Sequence, residues 1–219
     1  MAKKLYLSAA AHEHDNPTKC PSKCGENVHC KTYMDIVEAR MKELGVEVKR
    51  GYRDLVGADA MEKRVAEANA WGADLYYVAH SNAGGGRYTM TMCWDDAVSK
   101  AKAAVIGKYR ESITPHKVKV RTDLYEIRKT NMTCLYDELF FHDNAEDCKW
   151  FHSGGMEAMA EETVQALCEL LGVKYVAPVK DRTAELEAEN KALRAQVADL
   201  QGKVKALESK IAAAKKALA

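Results

Sequence analysis

Short apolar runs alternate along this chain with longer stretches whose apolar residues recur every three or four positions. Lys4 to Ser8, Val46 to Lys49, Leu75 to Ala79 and Cys134 to Phe141 are too short for typical helices and rich in residues that pack in strands. Between them, Tyr33, Ile36, Val37, Met41 and Leu44 keep a helical spacing over Val28 to Leu44, with Gly45 as a C-terminal stop. Ala58 to Trp71, closed by Gly72, and Asp95 to Ser112 predict two further helices, and a long one runs from about Ala145 to Leu171 with a break expected at Gly154-Gly155. Arg87 to Cys93 reads as a short strand or a loop, while Ile113 to Val120 and Thr122 to Thr130 keep no clear period. Strands alternating with helices at this spacing predict an α/β sheet covered on both faces.

From Asp181 the pattern changes. Leu186, Leu193, Leu200, Leu207 and Ala214 hold one position of a heptad, and Asn190, Val197, Val204, Ile211 and Leu218 hold the other. This predicts a C-terminal coiled-coil helix. β-Branched residues at a, leucine at d and one polar Asn190 favour a parallel two-stranded coil, hence a homodimer. The expected organisation is a folded domain over 1–175, a linker over 176–182 containing Pro178, and an oligomerisation helix over 183–219.

Composition narrows the function. With 219 residues, 47% hydrophobic, the chain can bury a sizeable core. A formal charge of +1 from 33 basic and 32 acidic side chains provides no field for nucleic acid or anionic lipid, so neither nucleic acid nor membrane is expected as a partner. Met-Ala-Lys-Lys leads straight into a strand, without the apolar segment of a secretory signal, so synthesis in a cytoplasm without a signal peptide is expected. Seven cysteines, an odd number, fit reduced thiols better than a disulfide framework. Cys20, Cys24, His29 and Cys30 stand at a Cys-x3-Cys-x4-His-Cys spacing that suits zinc by ligand type, but the spacing is irregular and no second pair follows, so ordinary thiols are the expectation.

Potential ligands gather beyond the predicted strands. The first strand runs into His12-Glu13-His14, the Leu75 run ends in His80-Ser81-Asn82 and three glycines, and Glu138 lies near the carboxyl end of the Cys134 run. Open α/β sheets place functional groups at such strand ends. Glu26 lies just before or within the first turn of the first helix. Zinc-assisted hydrolysis needs three His or carboxylate ligands, an open position for water and a carboxylate to take the proton. His12 or His14, then Glu26 and His80, supply the ligands, leaving Glu138 as general base and then general acid.

The segments Val78-Ala79-His80-Ser81-Asn82-Ala83 and Leu135-Tyr136-Asp137-Glu138-Leu139-Phe140-Phe141-His142-Asp143-Asn144, after a His and a Glu in that order, resemble the zinc-dependent N-acetylmuramoyl-L-alanine amidases of the amidase-3 family. The resemblance covers roughly Lys3 to Val173. It implies a mixed, mostly parallel sheet of about six strands flanked by helices, with His80 and Glu26 as zinc ligands and Glu138 as the catalytic carboxylate. The fourteen-residue spacing to Glu26 common in that family favours His12 over His14 as first ligand. Asn82, His142 and Asn144 become candidate substrate contacts. Two departures stand out: the first loop reads Ala11-His12-Glu13-His14 where many members have a Gly-His-Gly-Gly-like segment, and Phe140 replaces a usual glycine.

The activity implied is hydrolysis of the amide between N-acetylmuramic acid and L-alanine in peptidoglycan, with the Gly84–Gly86 loop bordering the substrate groove. The absence of an export signal suggests a phage or prophage endolysin released through a holin pore, with a cell-wall remodelling enzyme second. The alternatives are a zinc carboxypeptidase or deacetylase acting on the same polymer, and a non-catalytic coiled-coil scaffold carrying a degenerate hydrolase domain.

Overall fold

A computed structural model describes residues 2–178 and 183–217, which fall into two units, Met1–Val176 and Ala177–Ala219. In chain order the first unit comprises β1 (Lys4–Ala9), α1 (Glu26–Glu43), β2 (Glu47–Lys49), α2 (Ala58–Trp71), β3 (Leu75–Asn82), β4 (Thr89–Cys93), α3 (Ala97–Tyr109), β5 (His116–Val120), α4 (Tyr125–Lys129), β6 (Cys134–Phe141), α5 (Ala145–Trp150), a π turn (Phe151–Gly155) and α6 (Met156–Leu171). The six strands form one mixed sheet in the order β2-β1-β3-β6-β4-β5. Every neighbouring pair is parallel except β4 with β6. This is the expected α/β architecture.

Strand alternation divides the core. Leu5, Leu7, Leu75, Tyr77 and Leu135 face one side, where Met34 and Val37 of α1, Ile106 of α3 and Val164 and Leu167 of α6 cover them. Tyr6, Tyr76, Val78 and Cys134 face the other, under Val65 and Ala68 of α2 and Ile127 of α4. Two buried ionic groups pin this frame. Arg110, at the end of α3, pairs with Asp137 of β6, both side chains fully buried, and Asp137 also accepts from the Tyr77 hydroxyl at 2.6 Å and Thr91 at 2.9 Å. Arg64 donates to the carbonyls of Ala9 and Tyr52 and so ties the loop after β2 to β1.

Several boundaries differ from the sequence expectation. β3 continues through His80 and Ser81 to Asn82, past the expected end at Ala79, because these polar residues have buried partners and Asn82 still pairs with Phe141. The register slips between His80 and Asn82, a bulge in which two steps on β3 match three on β6. α3 is shorter than Asp95 to Ser112: the Asp96 side chain caps Ser99 N–H, and the backbone turns extended at Arg110. β5 is a largely exposed edge strand whose short Lys-Val-Lys-Val alternation lies within a segment that shows no clear period as a whole. The expected break in the last helix is present, with Gly154 at φ +97° inside the π turn.

The second unit contains α7 (Thr183–Ala217). Leu193, Val197, Leu200, Val204, Leu207 and Ile211 are all more than half exposed along it. Leu218 and the side chains of Leu186 and Ala214 lie outside the described residues, as does 179–182 of the expected linker. No helix among the described residues is long and apolar enough to cross a membrane.

Candidate active site

Three elements deliver the site. The loop after β1 carries His12, the first residue of α1 is Glu26, and the end of β3 carries His80. One ligand atom from each lies within 4.8 Å of the other two. His12 is set by Asn27, whose side chain accepts from the His12 N–H at 2.9 Å and donates to its carbonyl at 2.8 Å. Asp15 in turn accepts the Asn27 backbone N–H. His14 is exposed and lies outside the group.

Glu26 is the buried centre. Oε2 lies 3.1 Å from His12 Nε2 and accepts from Asn16 Nδ2 at 2.7 Å, while Oε1 lies 3.0 Å from His80 Nδ1 and accepts the Ser81 N–H at 3.0 Å. Burial opposes ionisation of this carboxyl, but the contacts with His12, His80 and the Ser81 N–H outweigh it and hold Glu26 well below the ordinary carboxylate range. The Glu26 carboxylate, in return, raises His12. The extension of β3 and its bulge explain why Ser81 N–H reaches Glu26: a bulge re-aims backbone and side chains at a strand end.

Glu138 sits opposite His80 in the parallel β3–β6 register. Burial pushes its carboxyl up to about 7, and the negative charge of Glu26 adds to that, against the opposing influence of His80. Its Oε2 is buried with no hydrogen-bond partner. Tyr136, two residues earlier on the same face, stacks on the His80 ring at 4.5 Å between centroids. A cavity of about 290 Å³ opens beside His12 and His80, also lined by Tyr136, Met61 and Glu126.

The donor set suits a divalent cation. His12 Nε2 is a buried atom without a hydrogen-bond partner, although it lies close to Glu26. The separations of 3.0 and 3.1 Å are near the edge of roughly 3.3 Å for nitrogen and oxygen ligands at about 2.0–2.1 Å around a tetrahedral zinc. Two imidazoles and a carboxylate are also the borderline donors zinc prefers.

The remaining expected site residues are placed as follows. His142 is buried, its Nδ1 2.9 Å from Ser81 Oγ and 3.9 Å from Glu26 Oε2. The Asn144 side chain caps α5 by accepting from Glu146 and Asp147 N–H. Asn82 ends β3, its carbonyl accepting the His142 N–H and its side-chain oxygen accepting the Ala83 N–H. The Gly84 and Gly85 N–H groups both donate to Asp143 Oδ2, which fixes the loop through positive-φ residues that only glycine adopts at low cost. Sequence reasoning missed Asn16, Asn27, Ser81 and Tyr136. Of these, Tyr136 was accessible from strand alternation with Glu138; the others depend on contacts between distant segments.

Of the four residues at metal-like spacing in the sequence, Cys20, Cys24 and His29 come together and Cys30 does not. Cys30 is fully buried in the core, and His152 from the π turn joins Cys20, Cys24 and His29 in its place.

No protein-family model matches this sequence, and no curated protein does. Solved structures do match in fold. The catalytic domain of CwlV, an N-acetylmuramoyl-L-alanine amidase from Bacillus (Paenibacillus) polymyxa var. colistinus, superposes with a TM-score of 0.70 at 21% identity, covering 80% of this chain and all of that one. An N-acetylmuramoyl-L-alanine amidase from Clostridium difficile 630 gives 0.68 at 18% identity over 80% and 99% of the two chains. The catalytic domain of the CD27L endolysin targeting Clostridia difficile gives 0.67 at 16% identity, again over 80% and 99%. The first unit of this chain therefore has the fold of the N-acetylmuramoyl-L-alanine amidase catalytic domains.

Proposed function

We propose that the chain is a zinc-dependent N-acetylmuramoyl-L-alanine amidase, hydrolysing the amide between the lactyl group of N-acetylmuramic acid and L-alanine in peptidoglycan. The observation that carries this reading is the convergence of His12, Glu26 and His80 with Glu138 in register beside them. The shared fold with peptidoglycan amidases supports the substrate class.

His12, Glu26 and His80 are the residues that would hold the ion. Bound there, zinc supplies Lewis acidity for the scissile carbonyl and for an attacking water. The protein's own part is proton transfer and orientation. Glu138, unpartnered at Oε2 and pushed toward neutrality, accepts a proton from water as oxygen adds to the lactyl carbonyl carbon. It then returns that proton to the L-alanine nitrogen as the C–N bond breaks, leaving a free carboxyl on the glycan and a free amine on the peptide. Tyr136 stacked on His80 and Asn27 on the His12 backbone fix the ligand rings. Asn82, two residues beyond His80 at the end of β3, is the candidate substrate contact, with His142 and Asn144 acting mainly by holding the framework.

The same reading extends to biology and assembly. The fold shared with an endolysin catalytic domain supports a phage or prophage endolysin reaching the wall through a holin pore. The exposed stripe from Leu193 to Ile211 supports pairing of α7 with a second copy as a parallel dimer, which gives two catalytic units on one polymeric substrate and raises avidity. Digestion of purified cell walls tests the activity: release of stem peptides with a new L-alanine amino terminus supports it, and release of only acetate or free terminal amino acids favours the deacetylase or carboxypeptidase alternative.

A further inference from the structure

We propose that Cys20, Cys24, His29 and His152 form a second, structural zinc site behind the active-site wall. One atom of each of these four side chains lies within 4.8 Å of the other three. Cys24 Sγ is 3.4 Å from His152 Nε2 and 3.8 Å from His29 Nδ1. Ligands at about 2.3 Å for sulfur and 2.0–2.1 Å for nitrogen stand roughly 3.4–3.8 Å apart around a tetrahedral ion. Two thiolates and two imidazoles closing all four positions make a structural rather than a catalytic set.

The surroundings are built for it. Cys20 and Cys24 flank a tight turn in which the Lys23 N–H donates to the Cys20 carbonyl and Lys23 takes φ +51°. The Thr18 hydroxyl donates to the Cys24 carbonyl and accepts the Cys20 N–H, closing the same turn. His152 comes from the π turn, an irregularity that costs regular hydrogen bonding and turns its ring toward Cys24. His29 Nε2 lies 2.7 Å from Ser81 Oγ, so that nitrogen is engaged and Nδ1 is left toward the sulfurs. Cys148 lines the shell: its thiol donates to the His142 carbonyl, and its sulfur lies 2.8 Å from Cys20 Sγ.

The site also has a reason to exist. Glu26 and His29 are one turn apart on α1, so the same helix face presents a carboxylate to the catalytic group and an imidazole to this one. His29 touches Ser81, and the Ser81 N–H holds Glu26. An ion here clamps the Cys20–Cys24 turn, the start of α1 and the π turn onto the strand that positions the catalytic carboxylate ligand.

The test loads the full-length, reduced protein with cobalt(II) alone and reads metal per chain together with the thiolate-to-cobalt charge-transfer absorption. The wild type is expected to bind two ions per chain, one for each cluster, with a strong thiolate band. His80→Ala should keep one ion and the whole band, whereas Cys24→Ser should lose the band and keep at most the catalytic ion. Wild-type protein that binds a single ion without a thiolate band overturns the proposal, and this reading holds even if Cys24→Ser fails to fold. A Cys20–Cys148 disulfide in protein purified without oxygen, seen as two fewer titratable thiols after denaturation, overturns it too. Loss of the band in His80→Ala with its retention in Cys24→Ser would assign the sulfur ligation elsewhere and contradict it.

Discussion

His80 and Glu138 are directly paired residues of two parallel strands, and the pairing places a carboxyl that burial pushes up to about 7 beside a carboxylate centre held far below its ordinary range. Two carboxyl groups with opposite shifts fit the proposed division of labour, in which Glu26 would stay ionised to bind a metal and Glu138 would trade a proton.

The raised Glu138 carboxyl predicts a stability effect with a definite sign. The folded, metal-free protein keeps this proton to about pH 7, while the unfolded chain releases it near 4.5. Folded protein therefore binds more protons between those values, and stability falls as pH rises through the window. Glu138→Gln removes that loss. In chelator, the variant should match wild type near pH 5 and exceed it near pH 8 by an amount of the order of 3 kcal/mol, at about 1.4 kcal/mol per pKa unit. Urea unfolding at the two pH values checks this; equal stability near pH 8 would contradict the burial of an uncompensated carboxylate.

Asn27 is predicted to matter for metal affinity without touching the metal. It grips the His12 backbone from both sides, and loss of such an outer contact typically weakens binding about 10–100-fold. Competition with a chromophoric chelator should show Asn27→Ala in that range with folding intact, and an unchanged zinc affinity would mean His12 is positioned by other contacts.

Arg110 and Asp137 predict a large, non-additive stability effect. Both are fully buried, so Arg110→Met leaves a charged Asp137 with only the Tyr77 and Thr91 hydroxyls, at a cost of about 3–5 kcal/mol. Removing both charges with Arg110→Met and Asp137→Leu should recover most of that loss. Denaturant midpoints for the single and double variants decide it; an additive loss would show that the pair does not act as a unit.

The α7 stripe predicts an oligomer. Leu200→Glu places a charge at the centre of the leucine positions, more than half exposed in the single chain, and sedimentation should shift from dimer to monomer with hydrolysis per chain on soluble fragments unchanged. A wild-type monomer at micromolar concentration would refute pairing through this helix.

Much of this architecture was legible in the sequence because it rests on local rules. Tyr76 and Tyr77 face opposite sides of the sheet by strand alternation, and Met34, Val37 and Met41 keep helical spacing on α1. The ends of the strands were harder. β3 runs three residues beyond its apolar part because Glu26, 54 residues away from His80 in sequence, and His142 satisfy its polar groups. The same holds for the second cluster: Cys30 directly follows His29 in sequence, but the helix points it into the core, and a histidine 128 residues from Cys24 takes its place. Spacing reveals ligand types; only folding reveals which ones meet.

The measurement that bears most directly on the central claim is mass spectrometry of the fragments released from purified peptidoglycan by zinc-loaded wild type and by Glu138→Gln. Intact stem peptides beginning in L-alanine should appear with the wild type, with their rate of release lowered by about 10²–10⁴-fold in the variant while zinc content is unchanged. Release of such peptides at the wild-type rate by Glu138→Gln, or none from the zinc-loaded wild type, would contradict the assignment.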